Sequence, residues 1–389
     1  MARADVVVVG AGPAGLTVAN LLRDRGIDCV LLERCDRAFI ERRPRAGFIE
    51  EWAVRELDRR GLADRLVREA ETQTTFEFRF EGARHVFDYA ELTGRRHFVY
   101  PQQNLVTDLV ARYVDRGGDA RFAVRDVALH GLHTDSPSVT FLDESGKRLR
   151  FDCDFVAGCD GARGVTRNHL PADAITRHDY GIGWLALLAE APPSADGVVF
   201  GIHPRGFAAH MARSSEVTRF YLQCSPADDI ANWPDERVWR ELRARLGVPD
   251  GELVEGALIE KRVLDMHNYV VQPMSHGRLH LAGESAHLVA PIAAKGMNLA
   301  LHDALLLADA LTAHNRGDPG RLAGYSDDCL QMVWQYQEFS QWLSDIFHGC
   351  PPTDPFRAEL ARARLRRLLG SRAAATAFAE LYTGRRASF

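Results

Sequence analysis

The chain of 389 residues is too long for one compact hydrophobic core, so its length predicts two domains or two intertwined lobes. Its net charge of −5, from 48 basic and 53 acidic residues, gives no sign of nucleic-acid binding. No apolar run approaches the roughly 20 residues that a membrane-spanning helix needs. Seven cysteines without a CxxC pair indicate buried thiols in a cytoplasmic protein, and no metal site is predicted.

The first predicted elements form a β-α-β unit of the kind that binds dinucleotides. Val6–Val9 is typical of a buried parallel strand, and three glycines follow it in a GxGxxG pattern. In such a turn Gly10 permits the tight bend, Gly12 lets the main chain approach a pyrophosphate, and Gly15 lets the helix pack on the strand. The free N–H groups at the start of that helix favour phosphate. Glu33, which closes the next strand, is placed to accept hydrogen bonds from a ribose.

The rest of the chain predicts a second lobe and a helical end. Residues 175–270 are mostly strand-like, with a helix near 235–246, and indicate an inserted sheet. A short buried strand at 279–283 returns to the first lobe, and a long helix follows at 296–312. The basic amphipathic helix at 357–372 is expected to pack its leucines on the fold rather than to lie on a membrane. Before residue 160, the sequence predicts helices at 50–59 and 105–116 and strands at 76–80, 85–87, 121–127, 138–142 and 149–155.

Two further motifs narrow the dinucleotide to a flavin. Asp160-Gly161 follows one predicted strand, and Gly283-Glu284 follows another. Together with the N-terminal glycines, these motifs resemble the three signatures of the class A flavoprotein aromatic hydroxylases. The resemblance implies an α/β fold with a Rossmann-like FAD-binding domain of the glutathione-reductase type, an inserted mixed-sheet substrate domain and C-terminal helices.

The same resemblance divides the chain into three parts. A discontinuous FAD-binding lobe is expected at residues 1–72, 96–175 and 268–350. The substrate-binding sheet lobe then comprises residues 73–95 and 176–267, followed by a C-terminal helical segment at 351–389. A homodimer is also implied.

Cofactor contacts are expected along the whole first lobe. Arg43 and Arg45 carry planar guanidinium groups that can pair with the FAD pyrophosphate. The helix start at 296–298 can aim N–H groups at the flavin pyrimidine. Glu284 stands where the family has an aspartate, which predicts a slight shift rather than a loss of binding. The FAD contacts that the resemblance implies are Gly10, Gly12, Ala14, Gly15, Glu33, Arg34, Arg43, Arg45, Ala46, Gly47, Gln102, Asp160, Gly161, Glu284, Gly296, Met297 and Asn298.

Within the family, the chain is similar to the branch that hydroxylates 4-hydroxybenzoate. This likeness makes Arg213 the ligand of a substrate carboxylate, with Tyr221 as a second donor, and makes Tyr382 part of a proton relay. The substrate contacts that it implies are Phe200, Met211, Ala212, Arg213, Tyr221 and Pro291, and the catalytic residues are Phe200, Pro291 and Tyr382.

Three positions depart from that branch. Phe200 replaces a tyrosine that bonds the substrate hydroxyl, Gln73 replaces a histidine that passes the proton to solvent, and Met211 replaces a serine at the carboxylate. A phenol, with a pKa of about 10, must lose its proton to donate electrons strongly, whereas an aromatic amine donates while neutral. We therefore hypothesise an amino-bearing substrate, such as 4-aminobenzoate or 3-amino-4-hydroxybenzoate. A divergent 4-hydroxybenzoate hydroxylase is the alternative.

The implied reaction is hydroxylation of a small aromatic acid by NAD(P)H and O₂, through a flavin C4a-hydroperoxide. The sequence is compatible with either NADPH or NADH as electron donor, because Arg34 and Arg37 suit a 2′-phosphate whereas Asp36 repels one. A related FAD-dependent dehydrogenase or oxidase is the alternative enzyme, and a non-catalytic flavin-binding module is a third hypothesis. No nucleic acid or membrane is expected as a partner.

Overall fold

The computed structural model describes residues 2–45, 47–249, 251–349 and 354–384. Ala46, an expected FAD contact, lies outside the described residues. The strands, numbered in chain order, are β1 (Ala2–Arg3), β2 (Val6–Val9), β3 (Cys29–Leu32), β4 (Phe48–Glu50), β5 (Glu71–Gln73), β6 (Thr75–Phe80), β7 (Ala83–Asp88), β8 (His97–Val99), β9 (Asp119–Arg121), β10 (Arg125–His130), β11 (Ser138–Leu142), β12 (Arg148–Asp152), β13 (Phe155–Gly158), β14 (Ile175–Glu190), β15 (Val199–Ile202), β16 (Ala208–Ala212), β17 (Thr218–Cys224), β18 (Ala257–Val271), β19 (Ser275–His276), β20 (Leu279–Leu281) and β21 (His287–Leu288). The α-helices are α1 (Pro13–Asp24), α2 (Arg37–Arg42), α3 (Glu51–Arg59), α4 (Asp64–Glu69), α5 (Tyr89–Thr93), α6 (Gln102–Asp115), α7 (Asp235–Leu246), α8 (Gly296–Asn315), α9 (Gly320–Phe347), α10 (Pro355–Gly370) and α11 (Arg372–Tyr382).

A six-stranded sheet in the order β19-β20-β13-β2-β3-β9 carries the first lobe. Its strands from β20 to β9 run parallel, and β2 and β3 are buried along their whole length, so both strands are apolar throughout. Helices α1 and α8 pack against each other beside this sheet. The carboxyl ends of β2, β13 and β20 meet at one edge, where open α/β sheets bind their ligands.

The second lobe contains an eight-stranded mixed sheet in the order β21-β18-β14-β17-β16-β15-β6-β7. The long antiparallel strands β14 and β18 carry the chain into this sheet and back. Leu185 and Leu187 point to one face and pack with α7, while Trp184 points to the opposite face. That opposite face is covered by α9, α10 and α11, so an aromatic core fills the space between sheet and helices.

Two small sheets complete the structure, in the orders β4-β8-β5 and β1-β12-β11-β10. Helix α10 buries Ala358, Ala361, Leu365 and Leu368, so the basic C-terminal helix packs its apolar side on the fold, as expected. Within the described residues, no helix combines the length and the hydropathy that crossing a bilayer requires.

The predicted fold class is confirmed, but two predicted strands are wrong. The segment predicted as one strand at 149–155 is divided between β12 and β13, which belong to different sheets. The segment at 121–127 is interrupted because Ala123 takes a left-handed conformation with φ 55°. The predicted strands at 76–80 and 85–87 are confirmed, and they form a hairpin, since β6 and β7 pair antiparallel around Glu81-Gly82. The described cysteines are free thiols, and Cys29, Cys153, Cys159 and Cys329 are buried.

Candidate active site

A cleft lies at the carboxyl edge of the six-stranded sheet. It encloses about 1030 Å³, part of it open to solvent, and α1 and α8 both begin at it. The expected cofactor residues that line this cleft are Gly10, Gly12, Ala14, Glu33, Arg34, Arg43, Arg45, Gln102, Asp160, Gly161, Glu284, Gly296 and Met297.

Each of the three N-terminal glycines has a different structural role. Gly10 has φ 107°, and a Cβ there would lie 2.3 Å from the carbonyl oxygen of Cys159 on the neighbouring strand end. A Cβ on Gly15 would lie 1.9 Å from the carbonyl oxygen of Gly10, so this glycine lets α1 pack on the turn. A Cβ on Gly12 would meet no protein atom within 4 Å. The open side of the turn is therefore at Gly12, where α1 presents its first N–H groups to the cleft.

Acidic side chains hold the loops around the cleft. Glu33 accepts hydrogen bonds from the Ala11 N–H at 2.8 Å and from the Cys35 N–H at 2.9 Å. Asp160 accepts from the N–H groups of Val165 at 2.6 Å and Thr166 at 3.0 Å, so its carboxylate orders the loop after β13. Hydrogen bonds within the protein therefore hold the two loops that frame the cleft.

A buried carboxylate, that of Asp303, fixes the Gly283-Glu284 motif from the protein interior. Asp303 on α8 accepts hydrogen bonds from the Gly283 N–H at 2.8 Å and from Nε2 of His287 at 2.6 Å. Burial alone would raise the pKa of Asp303, but the neighbouring imidazole groups of His287 and His302 outweigh it and hold that pKa below its usual range. The Gly283-Glu284 turn is therefore fixed from inside the protein while Glu284 stays exposed at the cleft.

Several guanidinium groups lie near Arg45 at the cleft. The pKa of Arg45 is lowered, first by desolvation of its guanidinium and then by Arg43, with further contributions from Arg262 and Arg163, while Glu284 acts in the opposite sense. Four guanidinium groups that repel one another favour an anion between them. This charge balance suits a pyrophosphate.

Three of the expected substrate residues, Phe200, Met211 and Tyr221, lie on one face of the eight-stranded sheet, whereas Ala212, next to Met211 in β16, points to the other face. Phe200 is opposite Ala209, which is opposite Tyr221, and Tyr221 is opposite Ala186 on β14. Directly opposed residues share a face, and Met211, two positions after Ala209, shares it too. This is the face that the C-terminal helices cover.

Arg213 and Tyr221 are brought together at the end of β16. The Arg213 guanidinium lies close to the Tyr221 hydroxyl. The neighbouring Arg219 is instead paired with Glu260 at 3.0 Å. Of these two cations, Arg219 is the one paired with a carboxylate, whereas the neighbour of Arg213 is a neutral hydroxyl. Ala212 and Arg213 are both exposed.

Phe200 and Tyr382 meet in the aromatic core through a shared neighbour. The Phe76 ring lies 5.4 Å from Phe200 and 4.9 Å from Tyr382, measured between ring centroids. Pro291 begins a short 3₁₀ helix whose next residues, Ile292 and Ala293, pack in the same core. Because this turn leads directly into Gly296 at the cleft, it joins the cofactor side to the aromatic side.

A buried charged group near this junction was missed by sequence reasoning. Lys295 forms an ion pair with Glu50, and its Nζ also donates to the main-chain carbonyl of Tyr382 at 2.7 Å. Trp52 Nε1 and the Tyr336 hydroxyl donate to the same carboxylate. The available signal was the lysine itself, an isolated charge in the apolar run before α8.

Three expected cofactor residues do not line the cleft. Gly15 packs against the turn, and Gly47 is required because a Cβ there would lie 1.6 Å from the Tyr100 carbonyl oxygen. Asn298 is buried, and its side chain accepts from the Glu50 N–H at 2.9 Å and donates to the Phe48 carbonyl at 3.2 Å. Its side chain therefore ties β4 to the start of α8 instead of facing the cleft.

The described residues fit FAD. The cleft has an open helix N-terminus for phosphates, surrounding guanidinium groups, and a carboxylate at the end of β3 that can receive a ribose. A family model described as an FAD binding domain matches residues 3–340. The chain belongs to this family of FAD-dependent enzymes and is an aromatic monooxygenase of the class A type, with FAD as cofactor and NAD(P)H as co-substrate.

Named relatives agree with this class. The chain is 35% identical over 387 residues to the p-hydroxybenzoate hydroxylase of Acinetobacter baylyi, covering 98% of this chain and 95% of that protein. It is 29% identical over 326 residues to a 3-(3-hydroxy-phenyl)propionate/3-hydroxycinnamic acid hydroxylase of Mycolicibacterium gilvum, but spans only 55% of that protein. Among solved structures, the p-nitrophenol 4-monooxygenase of Pseudomonas putida has a similar fold, with a TM-score of 0.83 at 21% identity over 99% of this chain and 100% of that chain.

Proposed function

We propose that this chain hydroxylates a benzoate that carries a hydroxyl or an amino group, using NADH or NADPH and O₂. The observation that carries the proposal is the Arg213–Tyr221 pair, which shares a sheet face with Phe200 and lies beside the aromatic core that contains Tyr382. A guanidinium whose neighbour is a neutral hydroxyl is suited to a carboxylate, and the aromatic face is suited to a ring. The printed name of the Acinetobacter relative supports a benzoate.

Bound FAD supplies the oxygen-activating chemistry, and the protein supplies position and environment. Arg213 and Tyr221 hold the carboxylate of the substrate and so orient its ring. Phe200 provides an apolar wall that excludes water. The N–H groups of Gly296 and Met297, at the positive end of α8, stabilise negative charge in the cleft. The Tyr382 hydroxyl handles the proton of a substrate hydroxyl.

The ring substituent is the finer part of the proposal. Phe200 and Met211 offer no hydroxyl to the substrate, so a ring that needs no deprotonation gains an advantage there. This favours an amine such as 4-aminobenzoate or 3-amino-4-hydroxybenzoate. The 35% identity with a p-hydroxybenzoate hydroxylase favours the phenol 4-hydroxybenzoate.

A substrate panel with separate readouts tests the proposal. The FAD-loaded enzyme is given NADH or NADPH with 4-hydroxybenzoate, 4-aminobenzoate or 3-amino-4-hydroxybenzoate, and cofactor oxidation, peroxide and hydroxylated product are quantified. We expect one ring to give product in near-equal amount to the NAD(P)H consumed. Peroxide without hydroxylated product for every ring contradicts the proposal and favours an oxidase. Coupled product from 4-hydroxybenzoate alone contradicts the amine hypothesis.

A further inference from the structure

A hydrogen bond between a tryptophan and a histidine joins the eight-stranded sheet to the end of α9. Trp184 on β14 donates its indole N–H to Nε2 of His348, the residue that caps the end of α9, at 2.8 Å. Trp184 is buried, and His348 is half-buried. Neither residue is among the substrate or cofactor contacts described above.

The direction of this hydrogen bond fixes the state of the imidazole. An indole N–H can only donate, so Nε2 of His348 carries a lone pair and Nδ1 carries the proton. Nδ1 donates to the Ser344 carbonyl at 3.2 Å, the oxygen that also accepts from the main-chain N–H of His348 at 2.9 Å. Desolvation lowers the pKa of His348 to about 3, which keeps the ring neutral. The imidazole is therefore held at both nitrogens.

Trp184 packs against Tyr221 on the sheet face that the C-terminal helices cover. Trp184 is opposite Gln223 on β17, and Tyr221 lies two residues before Gln223, so the two aromatic residues are diagonal neighbours on one face. Their ring centroids are 5.0 Å apart. The Tyr221 hydroxyl in turn lies close to the Arg213 guanidinium. A rotation of the Trp184 ring would therefore free the Tyr221 ring to move away from Arg213.

The end of α9 also reaches Phe200, the apolar wall of the proposed site. The Phe347 ring lies 4.8 Å from Phe200 and 4.8 Å from Phe207, measured between ring centroids. Phe207 stacks on Trp184 at 4.9 Å. A continuous series of ring contacts therefore leads from Phe200 to Trp184. The hydrogen bond to His348 adds direction to this packing, because an N–H group must point at its acceptor.

We propose that His348 is a positioning residue for the substrate: by accepting from Trp184 it holds Tyr221 beside Arg213, where the two side chains bind the carboxylate of a benzoate. The inference rests on the proposed function and extends it to a residue outside the proposed substrate contacts. Its effect falls on the binding of the carboxylate, because the hydrogen bond acts on the Tyr221 end of the site.

Benzoate binding to the FAD-loaded enzyme tests this role without turnover. Either 4-hydroxybenzoate or 4-aminobenzoate is titrated into the oxidised enzyme without NAD(P)H, and the change in flavin absorbance gives the dissociation constant. His348→Leu removes the acceptor of the indole N–H, so we expect benzoate affinity to fall about fivefold or more at unchanged FAD affinity. His348→Gln keeps an acceptor within reach of Trp184 and should bind benzoate within about twofold of wild type.

The same substitution in a Tyr221→Phe background separates positioning from a general packing defect. Without the Tyr221 hydroxyl there is no donor left to misplace, so His348→Leu should weaken benzoate binding by less than about a further twofold. A packing defect would cost the same factor in both backgrounds. Trp184→Phe removes the donor from the sheet side and provides a second variant if His348→Leu folds poorly. It should lower benzoate affinity by a similar factor, and the two losses should not add in the double variant.

An unchanged dissociation constant in soluble His348→Leu or Trp184→Phe overturns the inference. So does an equal loss in the wild-type and Tyr221→Phe backgrounds, or a loss that His348→Gln shares, because either pattern indicates a purely structural role. A wild-type enzyme that binds benzoate and hydroxylates it, but whose variants bind it equally well, contradicts the inference alone. A wild-type enzyme that binds neither benzoate contradicts the proposed function, and the inference with it.

Discussion

Gly12→Ala separates a ligand-binding role of the first turn from a structural one. Gly12 has φ −80° and ψ −179°, which alanine adopts freely, and its Cβ would meet no protein atom within 4 Å. Alanine is a poorer N-cap residue than glycine by roughly 0.5–1 kcal/mol, and the lower entropy of the unfolded chain returns about 0.4–1 kcal/mol. We therefore expect the unfolding free energy of the apoprotein to change by less than about 1 kcal/mol.

The new methyl group would occupy the open side of the turn, where the pyrophosphate approaches the start of α1. We expect FAD affinity to fall at least about 10-fold, which corresponds to about 1.4 kcal/mol. Urea unfolding of the apoprotein and quenching of flavin fluorescence on titration measure the two quantities separately.

Gly15→Ala is the matched control for this experiment. Its Cβ would lie 1.9 Å from the carbonyl oxygen of Gly10, so α1 must shift. We expect the apoprotein itself to lose about 1–3 kcal/mol or more of stability. Wild-type FAD affinity in Gly12→Ala would refute the reasoning, because it would show that the dinucleotide does not approach the main chain at this turn.

Three further substitutions probe other parts of the site. Arg213→Gln should weaken benzoate binding about 10- to 100-fold, measured by a binding titration, at unchanged FAD affinity. Arg219→Gln is the control and should have little effect, because Arg219 is already paired with a carboxylate. Equal effects of the two substitutions would argue against a carboxylate ligand at Arg213. Lys295→Met leaves Glu50 buried without its cation and should lower the unfolding free energy, measured with urea, by about 3–5 kcal/mol. Adding Glu50→Gln should recover much of that loss. No recovery would mean that the ion pair is not the cause. Asp303→Asn should lower stability by about 3 kcal/mol at neutral pH. Because the pKa of Asp303 is depressed in the folded protein, the stabilisation by its charge is present above the unfolded pKa of about 3.9 and is lost as the pH falls. The difference in unfolding free energy between wild type and variant should therefore shrink in acid. A difference that stays constant with pH would contradict this.

The cofactor half of the site could be predicted from the sequence because its motifs are local. Gly10, Gly12 and Glu33 belong to one strand-turn-helix-strand unit, and the spacing of that unit alone places them around one cleft. The Asp160 and Glu284 motifs each follow a strand, and parallel strands bring their carboxyl ends together. Their placement follows from periodicity and from the rules of parallel sheets.

The substrate side of the site could not be predicted from local sequence patterns, because it depends on contacts between residues that are distant in the chain. Phe200 and Tyr221 are 21 positions apart in the chain and share a sheet face only because β15, β16 and β17 pair in a particular register. A register shift of one residue would have turned Phe200 to the other face. Lys295 and Glu50 are likewise joined only by packing of α8 on β4.

The sequence by itself determined the α/β fold and the dinucleotide motif, because these depend on glycines and apolar periodicity that act over short distances. The flavin and the kind of enzyme followed from the resemblance of three motifs to a known family. Only the tertiary structure decided which polar groups share the interior with Tyr382. It also showed that Asn298 supports β4 and that Asp303 holds the Gly283 turn from behind. The reason is physical: the energy of a buried charge or an unpaired imidazole is set by neighbours that come from distant strands and helices, and burial decides how strongly each of them acts.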